Sequence, residues 1–402
     1  MEVMTDIKAL RRVFSSGELV KPGSEPGLTE LMTSVAELIE VDTPVTTRSV
    51  IDLGAPADHV IFVLADGLGL EILDRYAPDG GWLKSHLKHD LLTVFPSTTP
   101  AGITTVASAV PPITHGINGW WVWLNSVNAP VTVFHNELAQ TREPLTEFYE
   151  AEQELYSWES IFKASTKNIS YVLPSDIVNS RFSHHAFPNG ARIGYDRIKE
   201  VPQLIKEIVT RAGVNGFTYF YTTHPDSISH KKGLSHEVED SIIELDEHLE
   251  RIQSNLESLG VNYKIILTAD HGHLEISPHL SLDTGSDLTH LLREPPFGDM
   301  RVHYWKVISG AEQTFVSLFQ ALYGEWFFII SSAEAIEMEL FGSGGATVGS
   351  HFDIGDFVSI AKGSAALRFS GFPGHRSFFK MKSHHSGLTP SEMKIPLVIA
   401  DA

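Results

Sequence analysis

The sequence contains no cysteine. Disulfides, thiolate metal sites and a cysteine nucleophile are thereby excluded, and His, Asp and Glu remain as the side chains able to ligate a metal. Basic residues are also scarce: 30 Lys+Arg stand against 50 Asp+Glu, a formal net charge of −20. Such a surface repels a polyanion, so no face for polymeric nucleic acid is expected. A small anionic substrate needs positive charge supplied locally, and bound metal is one source. No stretch reaches eighteen apolar residues, and the first thirty residues hold no uninterrupted apolar run of the signal-peptide kind. The expectation is a cytoplasmic protein that does not span a membrane. No internal repeat or low-complexity tract is present, and nothing in the chain indicates an oligomeric state.

What is present is a chain of 402 residues, 42% hydrophobic, with 20 histidines. That is enough apolar material for one large core and a second, smaller unit. The opening 55 residues read as an irregular lead-in with one helix near Leu28 to Ile39. The run HVIFVL, His59 to Leu64, is continuously apolar, as in a strand covered on both faces. Further strands are expected at Leu91 to Phe95, Ser170 to Leu173, Phe217 to Thr222 and Tyr263 to Thr268, with helices after Ala101, near Val201 to Ala212 and near Ser235 to Leu259. Strand alternating with helix over this length predicts an α/β fold: a doubly wound, mostly parallel sheet with helices on both faces. Between 295 and 370 the pattern changes to a compact β-α-β-α-β series, read as a small inserted α+β subdomain. The closing KIPLVIA returns to the main sheet, so residues 1–294 and 371–402 form the core.

In an open α/β sheet, ligands bind outside the carboxyl ends of the strands. Four such ends carry ionisable or hydroxyl residues: Asp66 after HVIFVLA, Ser97, Thr98 and Thr99 after LLTVFP, Asp226 after FTYFYTTHP, and Asp270-His271 after YKIILTA. A polar strand end facing water is unremarkable singly, but four together point to one site. Asp226 and His230 are spaced to share a helix face, and His384-His385 adds imidazoles before the final strand. Oxygen and nitrogen donors of this kind suit zinc or manganese, and two metals about 3.5–4 Å apart clamp a displacement at phosphorus. Threonine is a poor nucleophile until metal lowers its pKa. A helix start behind PSTTP adds free amides that favour a phosphate oxyanion, although Ser or Thr there also serves as an ordinary helix cap.

These pieces, in order, resemble the alkaline phosphatase superfamily in its type I phosphodiesterase/nucleotide pyrophosphatase branch. The resemblance rests on ADGLG (65–69), FPSTTPAGITTVASAVPPITHGI (95–117), HPDSISHKKG (224–233), TADHGH (268–273) and HSGLTPSEMKIPL (385–397). It implies an alkaline-phosphatase-like core holding two divalent cations, Zn2+ in most members, with Mn2+ as the alternative. By position, Asp226, His230 and His385 would hold one, and Asp66, Asp270 and His271 the other. Thr99 matches the nucleophile and also touches the second metal, with Thr98 and Ser97 as alternative nucleophiles and His384 as the alternative to His385. The implied reaction is hydrolysis of a small phosphoric diester or nucleotide-type pyrophosphate through a phospho-threonine. The lysine that often precedes the nucleophile is Thr98 here. The phosphate-binding asparagine falls near Trp120, with Asn118 two residues away, so Asn118 and Trp120 are the candidate substrate contacts. The alternatives are a phosphomonoesterase of the same superfamily and a catalytically silent relative that binds metal or ligand. A sulfatase is disfavoured, because no C/S-x-P-x-R pattern surrounds the nucleophile.

Overall fold

The computed structural model describes residues 3–43, 51–342, 348–349 and 351–402. Its main sheet has seven strands in the order Leu87–Leu92, Lys394–Asp401, Tyr263–Thr268, His59–Ala65, Gly216–Thr222, Asn168–Pro174 and Ala191–Tyr195. The central strand is buried along its whole length, which suits its run of apolar residues without alternation. Registers are parallel from Tyr263–Thr268 across to Ala191–Tyr195. Lys394–Asp401 runs antiparallel to both of its neighbours. Helices Val201–Ala212 and His236–Leu259 pack on each other, as do Leu28–Leu38 and Thr99–Ser108. Asp66, Asp226 and Asp270 therefore follow three strands that are adjacent in the sheet and point the same way.

Two local expectations are corrected. The strand expected at Leu91 to Phe95 is Leu87–Leu92, whose Lys88, His89 and Asp90 are exposed. Polar residues are normal on an edge strand, and they hid it from a search for apolar runs. The lead-in also carries a first helix, Ile7–Ser16, with Leu10 buried and Ile7, Val13 and Phe14 packed against the same core. Their spacing is that of one helical face.

A second seven-stranded sheet, antiparallel at each pairing, runs in the order Phe327–Ser331, Phe357–Ala361, Val302–Trp305, Phe297–Gly298, Trp121–Leu124, Ala129–Thr132 and Glu137–Leu138. The 295–370 series thus shares its sheet with strands from 121–138, and helix Ile7–Ser16 packs on the Phe327–Ser331 strand. Trp123, Trp305, Phe315 and Phe319 belong to its hydrophobic cluster, which is distinct from that of the main sheet. Among the described residues, no helix is long and apolar enough to cross a membrane.

One buried ion pair ties the two sheets at the site. Arg301, in the turn before Val302–Trp305, donates from Nε and Nη2 to Glu392 at 2.6 and 2.9 Å, and to the carbonyls of Ala365 and Gly363. Glu392 also accepts the amides of Gly387 and Thr389, so the loop carrying His385 is laced to it. Burial pushes the Glu392 carboxyl up, but the Arg301 guanidinium more than offsets this and holds it below the usual carboxylate range. Replacing Glu392 with Gln leaves that guanidinium buried without its charge partner. Denaturant titration of E392Q is expected to show a loss of about 3–5 kcal/mol. Acid weakens the fold earlier, through buried neutral histidines. Desolvation takes His59, bonded at 2.9 Å to Thr218, down to about 4, and His303 down to about 3. The unfolded chain takes up these protons near the ordinary 6.5, whereas the folded chain resists. The contribution of these two histidines is therefore expected to fall as pH drops from about 6.5 towards 4, read for His303 as the difference in thermal melts between wild type and His303→Asn across that range.

Candidate functional site

The turn after the central strand places Asp66 with its Oδ2 2.5 Å from the Tyr221 hydroxyl, which donates to it. Its other oxygen, Oδ1, is buried with no hydrogen-bond partner. Asp270 is arranged alike: Oδ1 accepts the amides of Gly67 and His271 at 3.1 Å each, while Oδ2 is buried and unpartnered. His271 Nδ1 lies 2.9 Å from the Gly272 carbonyl, so Nδ1 carries the proton and Nε2 presents a lone pair. That Nε2 is 3.4 Å from Asp66 Oδ1, 3.5 Å from Asp270 Oδ2 and 3.0 Å from Thr99 Oγ1.

A second cluster forms around Asp226. The segment Asp226–Lys232 is helical, and the four-residue spacing brings His230 Nε2 to 3.1 Å from Asp226 Oδ1. His273 Nε2 is 2.6 Å and His385 Nε2 3.6 Å from the same oxygen. The Nδ1 atoms of His230 and His385 lie 2.9 Å from the carbonyls of Ser383 and Ser97. Again the backbone selects the tautomer. The rings of His271 and His385 stack at 3.6 Å between centroids and so join the two clusters. In each group, Asp66-Asp270-His271 and Asp226-His230-His273-His385, the donor atoms lie within 4.8 Å of one another.

This donor set fits divalent cations. Lone pairs converge with two orphaned carboxylate oxygens. Among the described residues, the groups within ion-pair distance of Asp66, Asp226 and Asp270 are imidazoles rather than lysine or arginine. Burial, with their mutual repulsion added, pushes Asp66 well above the usual carboxylate range, and burial raises Asp270. At Asp226 burial acts in the same direction, but His230 and His273 outweigh it and hold the carboxyl well below that range. Burial first, then His271 and His384, drives His385 well down, leaving it neutral. Close approach requires glycine at Gly67, with φ +74°: a Cβ there would come within 2.9 Å of Asp226 Cβ and His273 Cδ2.

Of the three hydroxyls after LLTVFP, Ser97 donates to the Gly387 carbonyl and Thr98 to Asp299 Oδ2. Thr99 faces the clusters from the first residue of helix Thr99–Ser108. Thr98, the N-cap, makes no side-chain cap bond, and the first amides of a helix have no partner within it. His384 Nε2 is 4.0 Å from Asp299 Oδ1 and belongs to neither donor group. Thr99, Asp226, His230 and His385 open onto a cleft of about 340 Å³ that Trp120 and Trp121 also line. Trp120 stands edge-on to Phe134 and His135. Asn118 is turned away from the cleft: its Nδ2 donates to the Asp353 carbonyl and its own carbonyl accepts the Tyr304 hydroxyl. His273, Tyr221 and Asp299 were not singled out in the sequence; of these only His273 had a signal, two positions after His271 in ADHGH.

Acid–histidine clusters and a hydroxyl at the carboxyl ends of adjacent strands make this an alkaline-phosphatase-like hydrolase, acting on phosphoric ester bonds and equipped for divalent metal. The chain belongs to the type I phosphodiesterase/nucleotide pyrophosphatase family, whose model matches residues 60–339. Murine ectonucleotide pyrophosphatase/phosphodiesterase 5 is similar in fold, with TM-score 0.60 and 17% identity over 84% of this chain and 87% of that one. Its inactive variant in complex with AMP gives 0.59 and 17% over the same shares. The human protein gives 0.61 and 15%, over 85% and 87%. No curated protein sequence matches. Because Tyr221 holds one oxygen of Asp66 and leaves the other free, Tyr221→Phe is expected to weaken metal binding about 10–100-fold, as read by calorimetric titration of Zn2+ into chelated protein.

Proposed function

We propose that the protein hydrolyses small phosphoric diesters or nucleotide-type pyrophosphates with Thr99 as nucleophile. The observation that carries this reading is the Thr99 hydroxyl, 3.0 Å from His271 Nε2 at a helix start beside both donor clusters. Asp66, Asp270 and His271 would hold one cation, with Thr99 against it. Asp226, His230 and His385 would hold the other, with His273 beside them. Zn2+ is the favoured ion for this mixed carboxylate–imidazole set, and Mn2+ the second choice. Bound there, two divalent cations supply charge that eases deprotonation of the threonine and of water and neutralises the phosphoryl oxygens.

The chain's own residues do the rest. Thr99 Oγ1 attacks phosphorus in line, the Thr99–phosphorus bond forms, and the bond to the leaving alcohol or phosphate breaks. Of the first turn of helix Thr99–Ser108, the amides of Thr99 and Ala101 are available to phosphoryl oxygens, Pro100 having none. Water then attacks the phospho-threonine, the Thr99–phosphorus bond breaks, the phosphate product leaves, and the proton lost from Thr99 to solvent in the first step is regained to restore the hydroxyl. Trp120 offers a ring edge in the cleft for a base or other flat group. Asn118 acts from behind, bracing the wall through Tyr304 and Asp353. The AMP complex of the murine relative supports a nucleotide-sized substrate.

Turnover of bis-p-nitrophenyl phosphate against p-nitrophenyl phosphate, by chelated protein resupplied with Zn2+ or Mn2+, tests the reading. The diester is expected to turn over faster, only with metal, and Thr99→Ala to lose at least about a thousandfold in kcat. Faster monoester turnover would make the protein a phosphatase. Full activity in Thr99→Ala would remove the nucleophile, and inertness of the metal-loaded protein towards both esters would favour a silent relative.

A further inference from the structure

The cleft that holds Thr99 is also lined by a cation with no assigned task. Arg368, on strand Ala366–Phe369, is 5% exposed, and its guanidinium carbon lies 4.2 Å from the centroid of the Trp121 ring. Nη2 donates to the Pro373 carbonyl at 2.6 Å, while Nε is buried without an acceptor. Among the described residues no carboxylate lies within 4.0 Å of it. The acid that influences it, Asp299, already accepts the Thr98 hydroxyl and the Met300 amide, each at 2.7 Å. Burial brings the guanidinium down only to about 10, so it remains charged at neutral pH.

A buried charge with donors left over is costly unless something pairs with it. Arg368 lines the same cleft as Thr99, Asp226, His230 and His385, and a guanidinium's planar fork matches phosphate oxygens. We propose that Arg368 receives a second phosphate of the substrate, beyond the one attacked. It would thereby select anhydrides and phosphate-bearing diesters over esters of neutral alcohols. This rests on the hydrolase reading above and names its substrate class. Trp121 serves as the platform that holds the guanidinium in position, and the Pro373 carbonyl fixes one edge.

The test compares ATP with the p-nitrophenyl ester of thymidine 5′-monophosphate, which has a single phosphate, in metal-loaded wild type, Arg368→Gln and Arg368→Lys. The ratio of kcat/KM for ATP to that for the ester is expected to fall at least about tenfold in R368Q, mainly through KM for ATP, and to recover in part in R368K. An equal loss on both substrates would overturn the inference, because Arg368 would then be only a prop for Trp121. Calorimetric binding of ADP against AMP in the metal-loaded Thr99→Ala background, where neither is consumed, needs no turnover. With Arg368 intact that protein should prefer ADP, and adding R368Q should abolish the preference; the same preference in both proteins would also overturn it. A wild type that binds ADP through Arg368 yet hydrolyses neither substrate would sink the hydrolase reading and leave the phosphate site standing.

Discussion

Three carboxylates, Asp66 and Asp270 buried and Asp226 half-buried, crowd one end of the main sheet, and the groups within ion-pair distance of them are imidazoles rather than lysine or arginine. Much of the molecule can be understood as the apparatus that keeps this unfavourable arrangement in place. Strands with fully apolar burial fix where the chain emerges. Backbone amides and the Tyr221 hydroxyl then neutralise one oxygen of each neighbouring acid, Asp66 and Asp270, and leave the other to face inward. Self-repulsion of this kind is tolerable only on a rigid frame, and it is what gives the centre its appetite for divalent charge.

Orientation of the imidazoles comes from main-chain carbonyls, remote in sequence for His230 and His385 and adjacent for His271. Ser97, Gly272 and Ser383 each lend a main-chain carbonyl to a ring nitrogen. Those segments are brought together partly by the Arg301–Glu392 pair, which ties the turn of one sheet to the loop entering the last strand of the other. The ion pair stands beside the chemistry without taking part in it.

How much of this was readable beforehand depended on whether a residue's task leaves a mark in its neighbours. Asp66, Asp226 and Asp270 sit where apolar runs end, so the alternation of strand and helix was enough to bring them to one end of a sheet. The resemblance to a known family then sorted them into pairs. Tyr221 lies inside an apolar strand, where an aromatic residue is expected for packing alone, and nothing in FTYFYTT distinguishes its hydroxyl. Asp299 and Arg368 lie in the segment that read as a separate unit; the pairing of Phe297–Gly298 with Trp121–Leu124 and of Ala366–Phe369 with His279–Leu282, together with the Arg301–Glu392 pair, carries that segment to the cleft. Asn118 shows the opposite case: its position suggested a contact, but its side chain is committed to the Asp353 carbonyl.

The donor clusters sit at strand ends of the first sheet and Trp121 of the second lines the same cleft; Trp121 and Trp123 belong to one hydrophobic cluster, while Val122, Leu124 and Val131 pack in the cluster of the main sheet. Changes confined to Trp121 and Trp123 therefore fall on a different core from the one beneath the acids, whereas changes at Val122 or Leu124 reach it. Such an architecture is partly modular: how a bond is broken and whose bond it is rest on largely different cores.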